Sequence, residues 1–85
     1  MTRFRAAVHI TPRRGILDPQ GKAVADALRT LGFAGVHDVH VGRHIQLEFD
    51  AADSDAARET VAAMCERLLA NPVIEDFDIA SVAPA

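Results

Sequence analysis

The sequence is poor in the residues that usually announce a chemistry. It holds one cysteine, four phenylalanines, and no tyrosine or tryptophan. A lone thiol closes no internal disulfide, so packing must hold the fold, and a reducing compartment is expected. Nine Lys and Arg stand against twelve Asp and Glu, a formal net charge of −3, and no basic cluster extends beyond Arg13-Arg14. Nucleic-acid binding requires a basic face, usually with stacking aromatics, and the chain has neither. No apolar run approaches the roughly 20 residues that span a bilayer. The opening residues, Met1-Thr2-Arg3-Phe4-Arg5, lead straight into a strand pattern with no secretory apolar core. A cytoplasmic chain with no membrane partner and no nucleic acid is expected.

What is present is a core former. The 85 residues are expected to make one domain, residues 1–85. A domain of this size buries only about 60–65% of its unfolded surface, yet 49% of its residues are hydrophobic. That combination favours association with other chains.

Phe4, Ala6, Val8 and Ile10 alternate with Arg3, Arg5, Ala7 and His9, the period of a strand with one buried face. Pro12 and Gly15 mark a loop. Asp18-Pro19 then opens a helix: the aspartate accepts from free first-turn amides, and the proline sits where a missing N–H costs nothing. The helix is expected over Pro19 to Leu31, with Val24, Leu28 and Leu31 as its apolar stripe. Gly32 is its left-handed stop, and Phe33 packs back on it. Gly21 breaks the design, because a glycine inside a helix costs about 1 kcal/mol relative to alanine. Close approach of protein backbone or a side chain is the expected reason, and Gly21→Ala is expected to stabilise the helix.

Val36–Val41 predicts a second strand, Gly42-Arg43 a two-residue hairpin with its glycine at positive φ, and Ile45, Leu47 and Phe49 a third strand. Asp53 or Ser54 caps a second helix, in which Ala57, Val61, Met64, Cys65 and Leu68 keep helical spacing and Asn71-Pro72 is the stop. Ile74–Val82 is the last strand. Val36-His37-Asp38-Val39-His40-Val41 and Ile74-Glu75-Asp76-Phe77-Asp78-Ile79 share one pattern: aliphatic, polar, Asp, apolar, polar, aliphatic. The predicted class is therefore α+β, ferredoxin-like βαββαβ: a four-stranded antiparallel sheet with two helices on one face, oligomeric. Its open face carries Arg5, His9, Gln46, Glu48, Glu75 and Asp78.

No catalytic constellation emerges. His37 and His40 have opposite parity on their strand, and no third ligand joins His40 and His44 across the hairpin, so no metal site is expected. Cys65 lies in an apolar stripe and is expected to be packed, not reactive. Asp50, Asp53, Asp55, Glu59 and Glu66 form a solvated helix face and its cap. The amides of Gln20, Gly21 and Lys22 are already served by Asp18, which leaves little for an anion. Neither a catalytic nor a cofactor-binding residue is assigned.

Three segments resemble a known family. Leu17-Asp18-Pro19-Gln20-Gly21-Lys22-Ala23, Val41-Gly42-Arg43 and Leu68-Leu69-Ala70-Asn71-Pro72-Val73-Ile74-Glu75-Asp76-Phe77 are similar to the PurS family, the small subunit of phosphoribosylformylglycinamidine (FGAM) synthase. Arg43, where many members carry lysine, and Phe77 in place of tyrosine are mild departures. The resemblance implies a non-catalytic subunit of a glutamine-dependent C–N ligase in purine biosynthesis. In such a complex a PurQ glutaminase subunit releases ammonia. A large PurL synthetase subunit binds ATP and Mg, converting formylglycinamide ribonucleotide (FGAR) to FGAM. A PurS dimer or tetramer bridges the two. The resemblance places Asp18, Pro19, Gln20, Gly21, Gly42, Arg43, Asn71 and Pro72 in subunit contacts, and no cofactor in this chain. The competing reading is a small-molecule-binding regulatory domain of ferredoxin-like topology, for which Gly15 and Gly21 speak. An acyl-phosphate hydrolase would need an asparagine to position water near Arg13-Arg14, and the only asparagine is Asn71.

Overall fold

Strand β1 (Thr2–Pro12) is the hub of the chain. The computed structural model describes residues 1–15 and 18–85, so Leu17 of the helix-start motif lies outside the described residues. β1 pairs antiparallel with β2 (Arg43–Ala51) along one edge and with β3 (Glu75–Pro84) along the other, giving the order β2-β1-β3. Period-two alternation sets which face is buried. Phe4, Ala6, Val8 and Ile10 turn inward and are buried, while Arg3, Arg5 and His9 turn out.

Helix α2 (Ser54–Met64) covers the inner face. Asp53 caps it, its Oδ1 accepting from the Ala56 amide at 2.8 Å. Ala57 and Val61 are fully buried one turn apart, and Cys65 continues the line. Val8, Ile10 and Val61 are the large side chains sealed in this way, each stabilising the fold by about 1.5–3 kcal/mol. Beyond Met64 the helix widens into a π turn, Cys65–Leu69, closed by the Ala70 amide donating to the Cys65 carbonyl at 3.0 Å. The extra residue in this turn shifts the helical phase. Leu68, expected on the apolar stripe, is 82% exposed, and Leu69 turns half-inward instead.

Helix α1 (Pro19–Thr30) ends as its glycine predicts. Gly32 has φ +104°, its amide donates to the Arg29 carbonyl, and the Phe33 amide reaches the Leu28 carbonyl, both at 3.0 Å. The Phe33 ring stays 57% exposed.

The structure corrects three expectations. The sheet has three strands among the described residues, because residues 36–42 take no regular secondary structure and pair with no strand. Their polar contacts go to α1 instead, which holds them away from the sheet. The helices do not share one face: α2 packs on the sheet, and α1 makes no comparable contact with any strand. Gly42 makes no hairpin and has no positive φ; it lies against the Ile10 carbonyl, where a Cβ would overlap that oxygen. In addition Glu75 is absent from the open face. It sits half-buried on the α2 side, opposite Pro12.

The chain is consequently drawn out, 52 × 25 × 14 Å with a radius of gyration of 16.4 Å. A compact domain of this length would measure about 12 Å.

Candidate functional site

The elongation comes from an arm made of α1 and residues 36–41, which return alongside it. Asp18 ties one end. Its Oδ1 accepts from the Gly21 amide and its Oδ2 from the Val41 amide, each at 3.0 Å. Arg29 ties the other end, its guanidinium donating to the carbonyls of Val36 at 2.9 Å and His37 at 3.1 Å. Between these ties the arm passes so close that a Cβ on Gly21 would overlap the Val39 carbonyl oxygen and the Asp18 carboxylate. The close approach expected at Gly21 is therefore present, and the backbone that approaches is the chain's own.

The amide of Gly21, then that of Val41, holds the Asp18 carboxyl below the usual aspartate range. His40 adds to this, with Nδ1 at 3.5 Å from Asp18 and Nε2 at 2.9 Å from Asp38. An open cleft of about 820 Å³ lies against the arm, lined in part by Arg14, Lys22, Arg29 and Asp38. Lys22 and Arg29 are already paired with Asp26 at 3.1 Å, so the cleft does not present them as a phosphate cradle.

A second knot gathers at the start of β3. The Arg43 guanidinium donates to Glu75 Oε1 at 2.7 Å and to the Leu69 carbonyl at 2.8 Å, and the same Oε1 accepts from the Asn71 amide at 2.8 Å. Asn71 Oδ1 takes the Val73 amide at 3.0 Å, a side-chain turn that ends the helical stretch.

The eight predicted contact residues thus fall into two neighbouring groups. Asp18, Pro19, Gln20 and Gly21 start α1 and meet Gly42 through the Asp18–Val41 bond. Arg43, Asn71 and Pro72 frame the second knot. Pro19, Gln20 and Pro72 are exposed, and Gly21 is buried. Arg29 and Glu75, which hold the arm and the turn, lack a sequence signal of their own, since the Val36 and His37 carbonyls that Arg29 reaches, and the Asn71 amide and Arg43 guanidinium that Glu75 accepts from, are brought within reach only by the fold.

Cys65 is buried, and that burial pushes its thiol up, as does Glu66. It is a packing residue, unsuited to nucleophilic chemistry. Apolar side chains are instead spread over the surface: Val24, Leu31 and Phe33 on the arm, and Leu68, Val73 and Ile74 past α2. Exposed patches of this kind mark protein contacts.

Comparison with known proteins agrees with this picture. The family model described as PurS, phosphoribosylformylglycinamidine (FGAM) synthase, matches residues 5–83. The PurS subunit of Mycobacterium leprae is 48% identical over 75 residues, covering 88% of this chain and 91% of that one. The Bacillus subtilis subunit is 39% identical over 74 residues, 87% of each. Among solved structures, Thermus thermophilus PurS superposes with a TM-score of 0.82 at 38% identity, covering 98% of both chains. A chain of the PurLQS structure from Thermotoga maritima gives 0.82 at 32% identity over the full length of both. The family match over residues 5–83 and the relatives covered over most of their length meet in one assignment: the chain belongs to the PurS family of FGAM synthase subunits.

Proposed function

We propose that the chain is the non-catalytic small subunit of FGAM synthase in purine biosynthesis. It acts as a bridge between the PurQ glutaminase and PurL synthetase subunits, so that ammonia passes from one to the other. The reaction is the ATP- and glutamine-dependent conversion of FGAR to FGAM, and the ATP and Mg belong to the large subunit. The observation that carries this reading is the full-length match to a chain of a PurLQS structure. The apolar arm supports it, since Val24, Leu31 and Phe33 stand exposed on it in the protomer.

A second copy is the first partner. Residues 36–41 pair with no strand, and among the described residues β2 and β3 each leave one edge of the sheet open. In the dimer the arm of one protomer lies on the sheet of the other, supplying the missing fourth strand and the second helix of the ferredoxin-like sandwich. Pro19, Gln20 and Pro72 touch neighbouring subunits; Asp18, Gly21, Gly42, Arg43 and Asn71 shape the backbone they stand on.

Reconstitution tests the function. PurL and PurQ with this chain should make FGAM from glutamine, and the chain alone should show neither glutaminase nor ligase activity. Full glutamine-dependent synthesis by the other two subunits without it would overturn the proposal.

A further inference from the structure

Two histidines meet on the open face of the sheet. His9 of β1 and His44 of β2 are register partners. Their ring centroids are 4.7 Å apart with planes at 40°, and their Nδ1 atoms are 3.2 Å apart. Both side chains are exposed, and among the described residues neither ring has another hydrogen-bond partner. Two imidazole nitrogens bound to one tetrahedral ion at about 2.0–2.1 Å stand about 3.3 Å from each other. The strand register has therefore brought two ligand atoms to the spacing that a shared metal requires.

The surroundings favour a cation. Across β1, Asp78 is the register partner of His9, so one carboxylate flanks the pair on the β3 side; Asp76, the partner of Thr11, is already paired with Arg13 at 3.1 Å. On the β2 side the next row is Ala7 with Gln46, both uncharged. Arg43 is occupied with Glu75 and the Leu69 carbonyl, and Arg5, two rows along, with Glu48 at 2.6 Å.

We propose that His9 and His44 form an open two-histidine site for a divalent first-row transition ion, with water in the remaining positions. Imidazole ligands suit Cu²⁺, Ni²⁺ and Zn²⁺, with Cu²⁺ held most tightly of the three. On binding, each ring carries its hydrogen on Nε2, so that both Nδ1 lone pairs face the ion. Acid opposes binding, because a protonated ring has no lone pair to offer. The site differs from the Asp18–His40–Asp38 cluster, where one ring turns its two nitrogens to different carboxylates.

The test is calorimetric titration of the untagged full chain with Zn²⁺ alone, at about pH 7.5 and about pH 5, with ¹⁵N spectra of the histidine rings. One saturable ion per chain is expected at the higher pH, shifting the Nδ1 signals of both His9 and His44, and none at the lower. His9→Gln and His44→Gln should each lose saturable binding while keeping the wild-type circular dichroism spectrum; His37→Gln should keep both. Absence of saturable binding in the wild type, its survival in His9→Gln, or ring shifts at His37 or His40 in place of the pair would overturn the proposal.

Discussion

Gly21→Ala separates two accounts of one residue. Helix propensity alone makes the change favourable by about 1 kcal/mol. The structure opposes it. The new Cβ would overlap the Val39 carbonyl oxygen and the Asp18 carboxylate. The carboxylate can swing aside, but the carbonyl belongs to a backbone tied by Asp18 at Val41 and by Arg29 at Val36 and His37. The arm must retreat by roughly 1 Å to restore ordinary contact. Overpacking of this kind costs about 1–3 kcal/mol. Set against the propensity gain, the net change is about 1 kcal/mol destabilising, opposite in sign to the expectation from the sequence. For a domain this size it lowers Tm by roughly 4–8 °C. Thermal unfolding by circular dichroism reads it, at one fixed protomer concentration because association also stabilises. Gly35→Ala is the control: no atom stands within 4 Å of its Cβ, so alanine there should raise stability by about 0.4–1 kcal/mol. A Gly21→Ala protein as stable as wild type, or more so, would refute the account of the arm.

Further outcomes follow from the other contacts. Glu75→Ala strips the acceptor shared by Arg43 and the Asn71 amide, and should lower the urea midpoint by an amount worth about 1–2 kcal/mol. The Asp18 carboxyl titrates lower in the folded chain than in the unfolded one. Its contribution is therefore complete above the unfolded value of about 3.9 and is lost as the pH falls through the lower folded value. Asp18→Asn should accordingly be less stable than wild type near neutrality, and the gap should close in acid; Tm against pH shows both. Leu31→Asp and Phe33→Asp replace side chains that are 74% and 57% exposed in the protomer. Each should leave the fold intact and shift sedimentation toward the monomer.

Much of this fold can be read from local pattern. The period-two runs through Val8, Leu47 and Phe77 became strands, and the Ala57, Val61, Cys65 spacing became the buried line of α2. Residues 36–41 show the limit. Their alternation matches that of residues 74–79, yet only the latter pair, because a strand exists by virtue of a neighbouring edge. The deciding contacts at 36–41 come from Asp18 and Arg29, and composition carries no trace of them. The candidate contact residues fared likewise: the cap at Asp18 and the stop at Asn71 were legible, whereas the Glu75 hub was not. The His9–His44 pair is a product of register, and register appears only once the strands are paired.

Asp18 has one further consequence. One carboxylate oxygen serves the first turn of α1 and the other serves Val41, a residue 23 positions away in sequence. The helix cannot unwind its start without loosening the returning segment, nor can that segment peel away without uncapping the helix. The two open together, as one cooperative unit, at a free energy below that of the α2-covered sheet, since few apolar side chains are buried there. Hydrogen exchange should show the amides of Gly21 and Val41 exchanging at matched rates, well ahead of Val8. Under the proposed dimer, a second protomer would then meet either a complete arm or none, and assembly would be an all-or-nothing step.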